Sequence, residues 1–367
     1  MRVSLLLLLV FLVVLPSPVA LTDPVILDVS PTGWDRPYAP VQMLALTLDT
    51  MGCRRSYDEL MVLSGAAFRS CWRDRNYNFP ALVLYQQDPI SLGAIAVGAM
   101  ADRRRVETED AAFAAIVESI DRGAPVIAWD DGRSDIQIIC GYDADDGTIL
   151  RRTIDTGAAP PEEVPVAQAK ALMYTGAPFE LWILTWEGAE QATPTNWPLA
   201  LANAVRLADW PPEERVYRDF ICGDGALEAW ATDMRDPELH EQFPQAGYMA
   251  ARLAWHLQHA RATASRVLQT NAVIHPRVLE AALLYQDEAA LFGEVHQVLC
   301  GGSGLTSTEA GRAANENIAN DEIRLSAADL VEQALAKDQA ARTALTEALG
   351  AVMGQPEPLT DGPPGQG

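Results

Sequence analysis

The chain has 367 residues, of which 49% are hydrophobic, and carries a formal net charge of -23 at pH 7. That length and apolar content predict a globular protein of two domains and exclude a disordered chain. The charge argues against nucleic acid or an anionic membrane surface as a partner, because neutralising phosphates needs clustered Lys and Arg, and lysine occurs only at Lys170 and Lys337.

Met1 to Ala20 reads as an export signal. Arg2 gives a positive start, Val3 to Leu15 an apolar core, and Pro16 to Ala20 a breaker with a small residue at a cleavage point. The core is short for a bilayer span, and Pro18 suits a signal peptidase poorly, so an uncleaved anchor is the alternative to cleavage after Ala20. No later segment is apolar for long enough to cross a membrane, and the expectation is a periplasmic or secreted protein.

A long helix begins near Ala39, Pro40, Val41, Gln42 and Met43, and Cys53 lies at its far end. Cys53 and Cys71 flank the next predicted helix and could bridge in an oxidising compartment. Equally, both could be small buried hydrophobes. Five cysteines leave at least one outside any intramolecular pair. Cys140, inside an apolar run, is expected in the core.

From Ile116 to Gly147 the pattern is helix, strand, strand. Ala112, Ile116 and Ile120 share one helical face, and Gly123 ends the helix as a residue that tolerates positive φ. Pro125 to Trp129 is an apolar run typical of a strand buried on both faces. Ile136 to Tyr142 returns as a second strand, and Asp145, Asp146 and Gly147 make a turn before Thr148 to Ile154 forms a third. Phe179 to Trp186 is a later strand that places Trp182 and Trp186 on one face.

After Trp186 the composition changes. Glu187 to Pro198 is polar and turn-rich, and helices are expected at Leu199 to Ala208, Glu213 to Phe220, Ala226 to Arg235, Gln245 to Gln269, Pro276 to Gln286, Glu288 to Leu299, Glu309 to Arg324 and Ala327 to Met353. Thr306 with Glu309 forms a capping box, and Ser326 is the expected N-cap of the last helix. Gln355 to Gly367 has a disordered composition. The resulting division is an αβ domain over 21–190, a linker over 191–198, a helical domain over 199–353 and a tail from 354.

The order of elements in Ile116 to Gly147, its wording GAPVI followed by GYD, and the segment Leu48 to Trp72 resemble the C39-like branch of papain-like cysteine peptidases and the N-terminal domain of the butirosin-biosynthesis acyltransferase family. The resemblance covers Trp34 to Trp186. It implies an α+β fold, with a papain-like, mainly antiparallel sheet followed by an all-α domain. It also implies a thiol nucleophile opening the first long helix and a histidine just before the GYD strand. The helix start around Gln42 holds no Cys, Ser or Thr. Cys53 stands roughly three turns, about 15 Å, beyond it. Asp135 occupies the histidine's place, and its carboxylate is a weak base at neutral pH. Neither member of the catalytic pair is present.

Trp34, Trp129, Asp135, Tyr142, Trp182 and Trp186 are the residues that could line an inherited cleft, although buried aromatic residues are more often plain core. His256 and His259 have a helical spacing that can hold a metal, but no further ligands accompany them. The acidic run Asp130, Asp131, Asp135, Asp143, Asp145, Asp146 only partly resembles a calcium loop. No cofactor is expected. The sequence favours a non-catalytic papain-like module that binds a peptide or small molecule, or acts as a scaffold. The alternative is a peptidase-like or acyltransferase-like enzyme with an unusual nucleophile or a histidine supplied by the helical domain. Oligomeric state is not encoded in any recognisable pattern.

Overall fold

The computed structural model describes residues 24–30, 37–73, 75, 88–130, 135–153, 156–157, 159–170, 179–187, 196–207, 220–301 and 308–354. The segment read as an export signal, Trp34, most of the helix expected from Glu213, Thr306 and the tail beyond Gly354 lie outside the described residues. None of the described helices is long and apolar enough to cross a membrane.

The fold is α+β, with a mostly antiparallel sheet followed by a helical C-terminal region. The described strands of the sheet are β1 (Val25–Ile26), β3 (Met100–Val106), β4 (Val126–Asp130), β5 (Asp135–Asp143), β6 (Thr148–Thr153), β7 (Glu162–Pro165) and β8 (Phe179–Thr185). A separate short strand, β2 (Cys71–Arg73), belongs elsewhere. The sheet runs β3-β8-β4-β5-β6-β7, and β1 pairs with β5 at Gly141 and Tyr142.

Alternation sends Ile127, Trp129, Trp182 and Leu184 to one face and Val126, Ala128, Leu181 and Ile183 to the other. Helices α1 (Ala39–Thr50) and α3 (Pro89–Ala96) cover the first face, and α4 (Glu109–Asp121) covers the second. Burial on both faces explains why β4 and β5 read as nearly continuous apolar runs. A bulge between Ile139 and Gly141 shifts the register of β5 against β6, so Cys140 stays with the first face while Tyr142 joins the second. Gly141 is required there, because a Cβ would stand 2.3 Å from the Val25 carbonyl oxygen.

The helical region holds α5 (Trp197–Leu207), α6 (Asp224–Arg235), α7 (Pro237–Glu241), α8 (Ala246–Thr270), α9 (Pro276–Cys300), α10 (Thr308–Ile318) and α11 (Asp321–Val352). Helix α9 crosses Asp287 without a break, where two helices were expected. No Gly or Pro interrupts it there, and Glu288 turns inward. The last helix begins at Asp321, because Asn320 Oδ1 accepts the N–H groups of Glu322 and Ile323 and is its N-cap; Ser326 lies inside the helix. Phe220 to Cys222 is a strand, β9, paired antiparallel with β2.

The two regions share one core. The largest apolar cluster joins Leu44, Ile138 and Trp182 to Ala264, Leu268, Tyr285 and Leu345. In a second cluster Trp72 stacks on Trp230, and its Nε1 donates to Asp233 at 2.7 Å. Helix α2 (Tyr57–Leu63) and the 3-10 turn Ala66–Phe68 pack directly on α8. Arg261 of α8 reaches back into that turn, donating to the Ala67 carbonyl at 2.7 Å and to Ser70 Oγ at 2.7 Å. A buried guanidinium satisfied in this way fixes the turn against the helices.

Candidate functional site

A cavity opens where the start of α1 meets α2, the segment Ala66–Cys71 and the middle of α8. It encloses about 80 Å³, which is room for about two or three water molecules. The apolar wall includes Met61, Leu253 and Ala260, and the polar groups include Tyr38, Arg69 and His256. Asp58, His259, Thr263 and Arg266 line it as well, so the wall mixes apolar side chains with several polar and charged ones.

Local sequence sets this geometry. Tyr38 is extended at the N-cap of α1 and gives the first turn no side-chain cap, and Pro40 follows inside the first turn. The Tyr38 N–H donates to the Tyr57 hydroxyl at 3.1 Å, tying α1 to α2. Arg69 Nη1 donates to the Tyr38 hydroxyl at 2.9 Å. At the rim, Arg266 Nη2 of α8 donates to Asp58 Oδ2 of α2 at 2.9 Å, an ion pair that crosses the cavity mouth.

Two titratable groups of the wall, Tyr38 and His256, are held neutral. Burial pushes the Tyr38 phenol upward, with Arg69 opposing. Burial, and then the positive charges of Arg252 and His259, pull His256 well below the usual imidazole range, so it is an uncharged ring at physiological pH. Cys71 lines the same cavity, so a thiol and a neutral imidazole share one small space.

The residues singled out in the sequence do not converge on this cavity, apart from Cys71, His256 and His259. Trp129 and Trp182 are core. Trp129 Nε1 donates to buried Glu180 at 3.0 Å, and Trp182 Nε1 donates to Asp88 at 2.9 Å. Trp186 packs against the same cluster beside Gly52. Tyr142 lies on the opposite face of the sheet and donates to Asp121 Oδ1 at 2.7 Å. These four aromatic residues therefore form no common cleft: Trp129, Trp182 and Trp186 belong to one core cluster, and the bulge in β5 turns Tyr142 to the opposite face.

Gln42 is buried in the second turn of α1. Asp135 opens β5 opposite Asp130. Asp143 Oδ1 accepts the N–H groups of Asp145 and Asp146, which is turn chemistry. Among the described residues no group of His, Cys, Asp and Glu is arranged to hold a metal. His259 instead bonds the Trp255 carbonyl through Nδ1.

Cys53 is buried, and burial raises its thiol pKa, with Arg55 opposing. The bridge weighed between Cys53 and Cys71 gives way to a different geometry: Cys71 Sγ lies 3.2 Å from Cys222 Sγ. Strand register, invisible in short segments so far apart, brings those two together.

Tyr38, Tyr57 and Arg69 were not singled out in the sequence. An Arg and two Tyr are ordinary surface residues by type, and only the segment Leu48 to Trp72 hinted that this stretch mattered. No protein-family model matches the chain, and no curated protein is significantly similar to it.

Proposed function

We propose that the chain is an exported, non-catalytic papain-like module that binds a small molecule or the end of a peptide in the cavity between Tyr38 and His256. The observation that carries this reading is the position of the cavity. It lies at the start of a helix packed on an antiparallel sheet, where a papain-like enzyme keeps its nucleophile, and Tyr38, Ala39 and Pro40 offer no nucleophilic thiol or alcohol. Its small volume limits the ligand to a group of a few heavy atoms.

The test is a thermal-shift series with N-acetyl amino acids and dipeptides on the wild-type chain and on Ala260→Phe, which fills the cavity from α8. A midpoint raised by at least one compound in the wild type and unmoved in the variant supports the reading. Equal shifts in both proteins, or none in either, overturn it.

A second reading rests on Cys71 and His256 lining one cavity: a thiol enzyme of peptidase or acyltransferase type whose base comes from the helical region. Iodoacetamide labelling of the reduced chain separates the two. If Cys71 reacts fastest at neutral pH and His256→Ala abolishes that reactivity, the enzyme reading stands. Labelling that follows exposure alone supports the binding reading.

A further inference from the structure

Strand β2 pairs with β9 in the register Cys71 with Cys222, Trp72 with Ile221 and Arg73 with Phe220. The Gly223 N–H donates to the Ser70 carbonyl at 2.8 Å, so the backbone bonds flank the cysteine pair and do not join it. In such a non-hydrogen-bonded pair the Cα atoms are about 4.5 Å apart and the side chains are at their closest. That spacing falls within the roughly 4.4–6.8 Å a disulfide spans. The two sulfur atoms are 3.2 Å apart, and both residues are buried.

We propose that Cys71 and Cys222 are an oxidation site, and that the working form of the chain carries the Cys71–Cys222 disulfide. The remaining cysteines do not compete. Cys140 is packed in the sheet core with its thiol pKa pushed up to about 11 by burial. Cys53 sits beside Arg55, and Cys300 ends α9 in the second apolar cluster.

The oxidant is a disulfide, either of a small thiol such as glutathione or of a dithiol oxidoreductase. Both thiols are buried, so a local opening of the β2–β9 pair precedes the exchange, and Cys71, on the cavity side, is the first to meet the donor. The Cys71 thiolate attacks one sulfur of the donor, forming a mixed disulfide and expelling one donor thiolate. The Cys222 thiolate then attacks Cys71 Sγ, forming the internal bond and expelling the second. Two electrons leave the cysteine pair, the donor is reduced to two thiols, and the two cysteine protons end on them.

The bond closes a loop across a sequence separation of 151 residues and ties the cavity wall at Cys71 to the residues that lead into α6. It also removes the Cys71 thiol from the cavity, which distinguishes a binding site from a thiol enzyme. The pair stands on strand register, so it holds whether or not the cavity binds a ligand.

The experiment is a non-reducing peptide map of the full chain after incubation with oxidised glutathione, with alkylation of remaining thiols. The expected result is one linked peptide joining Cys71 and Cys222, two hydrogens lighter than its parts, with Cys53, Cys140 and Cys300 alkylated. Reduction should lower the unfolding midpoint by roughly 6 °C, the size expected for releasing a long loop in a chain of this length. In Cys71→Ser/Cys222→Ser the midpoint should no longer respond to reductant. A different linked pair, or alkylation of both Cys71 and Cys222 after oxidation, overturns the proposal, and this map needs no variant to fold.

Discussion

Arg261 Nε and Glu288 Oε1 meet at 2.8 Å with neither side chain exposed to solvent. Asp338 is the second carboxylate at the same guanidinium, 3.3 Å from Nη2, and the Tyr285 ring lies 5.7 Å from the guanidinium carbon. Since Arg261 also holds Ala67 and Ser70, this one cation joins α8, α9 and α11 to the turn that walls the cavity. Arg261→Met leaves buried Glu288 without its cation, Asp338 with Arg342 alone, and the turn without its donors. The expected loss is about 3–5 kcal/mol of unfolding free energy, read from urea denaturation. Glu288→Gln keeps an acceptor for Arg261 and is expected within about 1 kcal/mol of the parent. Equal losses in the two variants would show that the ionic character of Glu288 matters, contrary to this account.

The same cluster sets a pH dependence. Burial drives Glu288 well above the usual carboxylate range, with Arg261 opposing and Asp338 adding to the rise; burial raises Asp338 as well. One proton therefore stays on the pair when folded, donated by Glu288 towards Asp338, and is lost to water on unfolding above the ordinary carboxylate pKa of about 4.3. Because the folded state binds more protons than the unfolded state, stability is full below that value and declines as pH rises towards the folded pKa. The urea midpoint of the wild type should fall between mildly acid and alkaline pH, and Glu288→Gln should flatten that slope. A slope of the same size in the variant would place its origin elsewhere.

The N-terminus of the last helix separates sequence reading from structure in a measurable way. Asn320→Ala removes the acceptor for the Glu322 and Ile323 N–H groups and should cost about 1 kcal/mol. Ser326→Ala, at an exposed position within the helix, should be neutral or stabilising by a few tenths of a kcal/mol. The reverse ranking, read by thermal or urea unfolding, would restore Ser326 as the cap.

Periodicity made some of this fold legible. The Ile116 to Gly147 pattern gave α4, β4 and β5 within a residue or two, because one buried helix face and two apolar strands leave a strong local signal. The start of α1 was legible from Ala39 and Pro40. Strands β2 and β9 were not, since three-residue segments carry no period and are defined only by each other. Asp287 and Glu288 read as a break between helices because two acids look solvated, whereas Arg261, remote in sequence, makes the inner one buriable. The cavity was illegible for a similar reason: Tyr38, Arg69 and His256 come from different elements, and no spacing rule connects them. Trp129 and Trp182 drew attention as cleft residues, yet their indole N–H groups are committed to Glu180 and Asp88, partners that composition does not reveal.

His256 should produce the opposite limb of the pH profile. Its folded pKa is depressed, first by burial and then by Arg252 and His259, so the unfolded chain takes up a proton that the folded chain refuses. Stability from this group is complete above the ordinary imidazole pKa of about 6.5 and is lost as pH falls below it. His256→Asn should therefore remove part of the decline in urea midpoint as pH falls from about 6.5 to about 3, while leaving the Glu288 slope untouched. Imidazole NMR resonances give the direct measure: His256 should remain neutral under conditions that protonate free histidine in the same solution. A His256 that titrates together with free histidine would mean that the cavity is wet and open, and the small, desolvated binding site inferred from it would fall with that result.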